Sequence, residues 1–423
     1  MGAAVKDLYM VRPARPGDLD DLLRLAAALG SGVTTLPPDR GLLAGRIEDS
    51  VSSFGRHVRN AGGEWYLLVL VHPDGHVCGT SAVVARVGGF DPYYTYEVRP
   101  EVHHHDPLGV HREVRVMHLV KEHKGPSELA SLAVDPGLRT QGLGRLLSLS
   151  RLLLISAHRE RFDDRIIVEL RGYQDEAGRS PFWDSVGAHF FNSEFAEADF
   201  LSGLGNKDFI EDLMPRHPIY LDLLPERVRA AVGRPHEHSA PAMRMLEREG
   251  MVHRGAVDIF DAGPILSARV DELTTVRMHR RMRVAALGEP DRSGPRALVA
   301  NGRLDFRATF CHVQLWGDDQ VRLPVDAAHL LEVGIGDMVQ VWSNDRYRAA
   351  LHRAITNPVV DRYSVPFFLN PSYQTVYAPL PATVSELNPA RYRPISWREF
   401  RGLRAAGDYA DLGEEIQISH YRR

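Results

Sequence analysis

Proline at position 136 constrains this fold more than any other residue, because a strand must end there and a helix begins a few residues later. Proline has no backbone N–H, so the apolar run Leu129 to Val134 has to leave its sheet at Asp135-Pro136. Beyond Gly137-Leu-Arg-Thr-Gln-Gly-Leu-Gly144, residues Leu146, Leu147, Leu149, Leu152, Leu153 and Leu154 recur with helical rather than alternating spacing. The segment therefore reads as strand, glycine loop, long helix. Glycines let backbone N–H groups approach an anion closely, and a helix N-terminus points its free N–H groups and positive dipole end at the same place, which makes a phosphate cradle.

The spacing Arg139-Thr-Gln141-Gly142-Leu-Gly144 resembles the R/Q-x-x-G-x-G/A signature of the GNAT acyltransferases. That resemblance implies that Arg139, Gln141, Gly142 and Gly144 hold the pyrophosphate of an acyl-CoA. The flanking elements agree with it. Leu8 to Arg12 forms a strand candidate, and Pro16-Gly-Asp18 opens a helix with Leu19, Leu22, Leu23, Leu25 and Ala26 on one stripe. Ser31 to Pro37 is a polar loop. Tyr66 to Val71 and His76 to Val87 are β-rich runs joined by Pro73-Asp74-Gly75, which reads as a hairpin. Arg165 to Arg171 supplies a further strand after the helix.

Composition narrows the function classes. A chain of 423 residues exceeds one core and suggests about two to four domains. With a formal net charge of -4 and no Lys/Arg block, nothing favours nucleic acid as a partner. The apolar stretch Leu146 to Ala157 is interrupted by Arg151 and too short to span a bilayer, so no membrane partner is expected. Cys78 and Cys311 alone cannot make a disulfide framework, which fits a cytoplasmic location. The run His103-His-His105, with Asp106, His111 and His118 nearby, reads as a solvated loop, because adjacent residues of an extended chain point to opposite faces.

Ser180-Pro-Phe-Trp183 to Phe191 places Ser as an N-cap and Pro in the first turn, with an aromatic face and Gly187 near the helix end. A related pattern recurs at Ala240 to Met251, which suggests two GNAT-like lobes. Further distinctive stretches are Asp91-Pro-Tyr-Tyr-Thr-Tyr96, Ser127 to Leu132 with Asp135-Pro136, Ala198-Asp-Phe200, Leu213 to Tyr220, His236 before Ser239-Ala-Pro-Ala242, and Asp258-Ile-Phe-Asp261-Ala-Gly-Pro264. Together they resemble the arginine N-succinyltransferase family over roughly residues 7 to 340.

That resemblance implies transfer of succinyl from succinyl-CoA to the α-amino group of L-arginine, or of ornithine in some relatives, with no metal in the reaction. Its partners would be these small molecules, in either a homo- or a hetero-oligomer. The family's acid/base histidine falls on His236 and its succinyl-CoA contact on Leu132. A guanidinium calls for carboxylates in a planar two-point arrangement, and Glu169, Glu194 and Asp199 are the candidates.

The expected fold class is α/β (α+β), GNAT-like. It comprises an N-terminal acyl-CoA lobe (1–178), a second lobe (179–290), a small β subdomain (291–340) built with Leu304 to Val313 and Gln320 to Val325, and a tail (341–423). The tail resembles the end of a 2-oxoglutarate- and Fe(II)-dependent oxygenase of the isopenicillin N synthase group. There His352 would be an iron ligand, and Arg362 with Ser364 would clamp an oxo-acid. No H-x-D/E pair stands some tens of residues before His352, so the facial triad is incomplete. An oxygenase and a non-catalytic fusion or scaffold subunit are the alternatives to the acyltransferase.

Overall fold

The computed structural model describes residues 8–29, 36–89, 91–191, 193–195, 197–198, 208–215, 217–288, 294–316, 319–333 and parts of 376–422. The polar loop at 31–35, Asp199, and the oxygenase-like His352, Arg362 and Ser364 lie outside the described residues. The chain divides into two compact units, one of residues 1–280 with 297–311, the other of 281–296 with 312–423.

The first unit is built on strands β1 (Met10–Pro13), β2 (Trp65–Val71), β3 (Val77–Val84), β4 (Tyr93–His105), β5 (Val110–Glu122), β6 (Ser127–Val134), β7 (Arg165–Glu169), β8 (Ile219–Tyr220), β9 (Val252–Val257) and β10 (Pro264–Arg269). After β11 (Arg283–Gly288), strands β12 (Arg296–Ala300) and β13 (Ala308–His312) complete a twelve-stranded sheet in the order β12-β13-β1-β2-β3-β6-β7-β10-β9-β4-β5-β8. The sheet crosses the expected lobe boundary at residue 178 without a break.

Helices α1 (Leu19–Leu29) and α2 (Arg40–Gly55) cover one face, packing Leu22, Leu25, Leu43 and Ile47 on Leu67, Val69, Ala130 and Ala133. Asp39 caps α2, its Oδ1 accepting from Leu42 N at 2.8 Å. Helix α3 (Leu143–Ala157) covers the opposite face, where Leu146, Leu147 and Leu154 meet Leu68, Leu129, Ile166 and Val168. The alternation of β2 and β6 between these two cores follows from the two-residue period of a strand. Further along the sheet, Tyr94, Tyr96 and Met117 form a third core with Phe182, Trp183 and Phe260. There Ser180 caps the helix Pro181–Ser185 as its sequence suggests, its Oγ accepting from Trp183 N at 3.2 Å.

Two expectations are corrected. The histidine run is not a loop but the end of a long hairpin, β4 pairing with β5 from Tyr93↔Glu122 to His105↔Val110. Thirteen paired residues with an exposed tip satisfy the backbone, so the histidines remain solvated while their chain is a strand. The run Leu304 to Val313 does not build a small β subdomain together with Gln320 to Val325. Its strand β13 instead covers the open edge of β1 (Val11↔Ala308), and Thr309 Oγ1 donates to Tyr9 O at 2.8 Å.

The second unit holds a three-stranded sheet in which β11 pairs in parallel with β15 (Gln320–Pro324), and β15 pairs antiparallel with β14 (Gln314–Trp316). The helix Val325–Leu331 follows β15 directly. Both cysteines are free and buried. Burial pushes the Cys78 thiol up to about 12 and the Cys311 thiol up to about 11. Among the described residues, no helix is long and apolar enough to cross a membrane.

Candidate active site

The centre of the first unit is a parallel pair that does not stay paired. β6 and β7 are in register only at Ser127↔Ile166 and Glu128↔Ile167. β6 then runs on to Val134, so its β7-facing edge opens into a cleft. On its other edge β6 pairs with β3, but Thr80↔Ala133 and Ala82↔Ala130 leave two residues opposite one. This is a β-bulge, and Ser131 takes a left-handed φ of 53° to form it. Leu132 follows the bulge, half-buried and packed toward α3. Arg151 of α3 braces the same place from within the core. It is 1% exposed, and donates to Ala130 O at 3.2 Å and to Ser148 Oγ at 2.9 Å. Burial lowers its pKa to about 9, which still leaves it charged at neutral pH.

Past Val134 the chain turns as Pro136 requires. Asp135 Oδ1 accepts from Gly137 N at 2.9 Å, residues Pro136–Gln141 form a 3-10 turn, and Gly142 starts α3 with φ 75°. Gly142, at the N-cap, has no side chain with which to cap it. A Cβ at Gly142 or Gly144 would have nothing within 4 Å, so both glycines face open space. Arg139 and Gln141 are exposed beside them. Arg145 N and Leu146 N already donate to Gly142 O, and the N–H groups before them, next to bare backbone, fit a phosphate ligand.

β7 and β10 carry the second half of the site. Beyond Glu169, Gly172 bridges to Pro235, and His236 N donates to Arg171 O at 2.8 Å. His236 is thereby hung at the end of β7, on the edge where the cleft opens. Its Nδ1 accepts from His238 N at 3.1 Å, so the proton of the neutral ring resides on Nε2. Burial, followed by the positive charges of Arg171 and His238, holds the ring below its ordinary 6.5. The imidazole is therefore neutral at pH 7.

Of the candidate carboxylates, Glu169 is half-buried and accepts a short hydrogen bond from Tyr93 Oη. Tyr93 is itself buried, with its pKa driven well above 10 by burial, then by Glu169 and Glu128, with Asp258 acting in the same sense. Tyr93, Glu128, Glu169 and Asp258 thus form an acidic group that is not apparent from their separate places in the sequence. Of these four, Tyr93 lines a cavity of about 370 Å³, together with Thr95, Ile167, Arg254 and Ser267, among others. Glu194 is not part of this group. It is exposed, and its neighbour Phe195 packs on the core of Tyr94 and Tyr96, which a strand's alternation puts on the face opposite Tyr93.

Asp261 belongs to a stretch that the sequence singles out, but its burial is visible only in the fold. It is 6% exposed, with Oδ2 accepting from Gly172 N at 2.6 Å and Oδ1 from Gly263 N at 2.7 Å. Burial first, and then the charge of Asp258, raises its pKa well above the ordinary 3.8. Its sequence signal was Asp261-Ala-Gly-Pro264, a turn placed directly before an apolar strand.

A helix-bearing parallel pair that splays beside a glycine cradle, with a neutral histidine at the mouth, defines a GNAT-type acyltransferase architecture. Residues 9–275 match the family model described as arginine N-succinyltransferase beta subunit, and residues 280–343 match that family's C-terminal domain. The chain belongs to the arginine N-succinyltransferase family. It is 43% identical over 339 residues to the arginine N-succinyltransferase of Yersinia enterocolitica, covering 79% of this chain and 98% of that one. A relative from Enterobacter sp. is 40% identical over 339 residues and covers 97% of its own length. The solved arginine/ornithine succinyltransferase subunit AI from Pseudomonas aeruginosa superposes with a TM-score of 0.71 at 36% identity, covering 78% of this chain and 96% of that one.

Proposed function

We propose that this enzyme transfers the succinyl group of succinyl-CoA to the α-amino group of L-arginine, acting on soluble small molecules in the cytoplasm. The observation that carries the reading is the parting of β6 and β7 after two paired residues. It supplies a slot for an acyl-pantetheine arm, with the glycine cradle at one end and His236 at the other.

In this reading Arg139, Gln141 and the N–H groups around Gly142 and Gly144 hold the pyrophosphate. The backbone of Leu132, on the open edge past the bulge, hydrogen-bonds the thioester arm and its developing oxyanion. Glu169, with Glu128 and Tyr93 around it, receives the guanidinium, and charge-assisted bonds of this kind favour the planar fork of arginine. Asp199 is a further candidate for that contact. A succinyl donor carries a free carboxylate that an acetyl donor lacks. Arg171, beside His236, is the cation we assign to it.

The amine nitrogen attacks the thioester carbon, a C–N bond forms, the C–S bond breaks, and the sulfur leaves as a thiolate. Neutral His236 takes up the proton shed by the amine, through water at Nδ1 in exchange for the bond from His238 N, and the resulting imidazolium gives its Nε2 proton to the departing sulfur, which leaves the ring neutral again. Acid–base help of this kind contributes ~10²–10⁴-fold.

Thermal denaturation tests the donor site. Succinyl-CoA at about 100 times its dissociation constant should stabilise the chain by ~2.7 kcal/mol, and Gly142→Ala, which puts a Cβ where φ is 75° and the phosphate must come close, should remove most of that gain. An equal shift in both proteins, or none in the native chain, would refute the assignment.

A further inference from the structure

The turn between β2 and β3 reads His72-Pro-Asp-Gly-His76, a sequence the acyltransferase reading leaves unused. Its backbone is closed by two bonds, His72 N to His76 O at 2.9 Å and Gly75 N to His72 O at 2.8 Å, with Gly75 at φ 103°. The two histidines are therefore cross-strand neighbours on one face. Their rings stack, with centroids 4.7 Å apart and planes 22° from parallel. Asp74 folds back from the turn so that one oxygen, Oδ1, lies 2.9 Å from His72 Nδ1 and 2.5 Å from His76 Nδ1. Donor atoms of all three residues lie within 4.8 Å of one another.

Two stacked imidazoles aimed at a single carboxylate oxygen make a poor ion pair. If both rings were protonated their charges would repel across the stack, and one oxygen would serve two cations. As neutral ligands with an anionic partner, the same three groups suit a divalent ion. We propose that His72, Asp74 and His76 form a binding site for a transition-metal dication of the zinc class. Two imidazole nitrogens and one carboxylate oxygen are a preferred set for Zn²⁺, and the open side of the turn leaves room for water as a fourth ligand. With bonds of ~2.0–2.2 Å, donors around a tetrahedral ion stand about 3.3–3.6 Å apart. The present spacing needs to open by about 1 Å or less, which side-chain rotation within the turn provides.

The site is also tied to the pyrophosphate loop. Tyr9 sets its ring edge on His72, with centroids 5.2 Å apart at 85°, and its hydroxyl donates to Gln141 Oε1 at 3.2 Å. A bound metal fixes the His72 ring, and through Tyr9 it supports the position of Gln141. This is a structural role beside the donor site, with no part in the chemical step.

Calorimetric titration of the chelator-treated, full-length chain with ZnCl₂ tests the site, because the readout is binding and not turnover. The expected result is one micromolar site per chain that weakens at least about tenfold in His72→Asn/His76→Asn and in Asp74→Asn, since even the loss of a partner behind a ligand costs ~10–100-fold. Melting curves in chelator should coincide for all three proteins, and Asp74→Asn serves if the double variant folds poorly. The exposed tip holding His104, Asp106 and His111 is the control, and His104→Asn/His111→Asn should leave the micromolar site intact. Unchanged affinity and stoichiometry in His72→Asn/His76→Asn, or no binding tighter than millimolar in the native chain, would overturn the proposal.

Discussion

Gly172→Ala probes the seam that carries His236. A Cβ at residue 172 would lie 2.5 Å from the backbone oxygen of Asp261, 2.7 Å from its Oδ1 and 2.8 Å from its Cγ. The first is backbone, and the other two belong to a buried side chain pinned by Gly172 N and Gly263 N, so the seam itself has to move. Overpacking of this kind costs ~1–3 kcal/mol. Disturbing the 2.6 Å bond from Gly172 N to Asp261 Oδ2 adds ~1–2 kcal/mol, since a buried partner is left poorly satisfied. The sum, ~2–5 kcal/mol, corresponds to a melting temperature lower by roughly 3–8 °C for a unit of this size. Because the Gly172↔Pro235 bridge positions His236, a displacement of about 1 Å should also cost ~10²-fold in kcat. Differential scanning calorimetry and saturating-substrate kinetics read the two effects. A melting point within about 2 °C of the native chain, with kcat unchanged, would show that the seam neither packs nor positions as described.

Arg171→Gln removes a positive neighbour that holds His236 below 6.5. Imidazolium becomes easier to form, so the acid limb of the kcat–pH profile should move up toward 6.5, and a fixed limb would contradict the electrostatic reading. The pKa of Asp261 is raised in the folded state, so between about pH 4 and that higher value the native chain holds a proton that the unfolded chain has lost. Its contribution to stability therefore falls as pH rises through this window. In Asp261→Asn that dependence is gone, and denaturant titrations at about pH 4.5 and pH 7 should show the native chain's advantage over the variant shrinking with pH. A constant difference would mean that Asp261 is ionised throughout.

The strand, loop and helix around Pro136 could be read from sequence because each signal is local: a proline without an N–H, a glycine that takes a φ of 75°, and leucines at helical spacing. The capping role of Ser180 was legible for the same reason. What stayed hidden depends on partners far away in the chain. β13 closes on β1 through Val11↔Ala308, and β10 lies against β7 through Leu266↔Val168, although nothing near either strand announces its neighbour. The acidic group was lost in the same way. Glu169 stands out in the sequence as a carboxylate candidate, but that Tyr93, Glu128 and Asp258 join it shows only when four strand ends are brought together. Glu194 looked equal to Glu169 because a carboxylate's face of the sheet is not written beside it.

The central claim is that neutral His236, at the mouth of the β6/β7 cleft, serves acyl transfer from succinyl-CoA to arginine. Mass-resolved single-turnover measurement with the native chain and His236→Ala tests it most directly, following free thiol and Nα-succinylarginine together. The account predicts equimolar thiol and product from the native chain, and a rate lower by ~10²–10⁴-fold in the variant. Equal rates in the two proteins, or thiol release that does not depend on arginine, would contradict it.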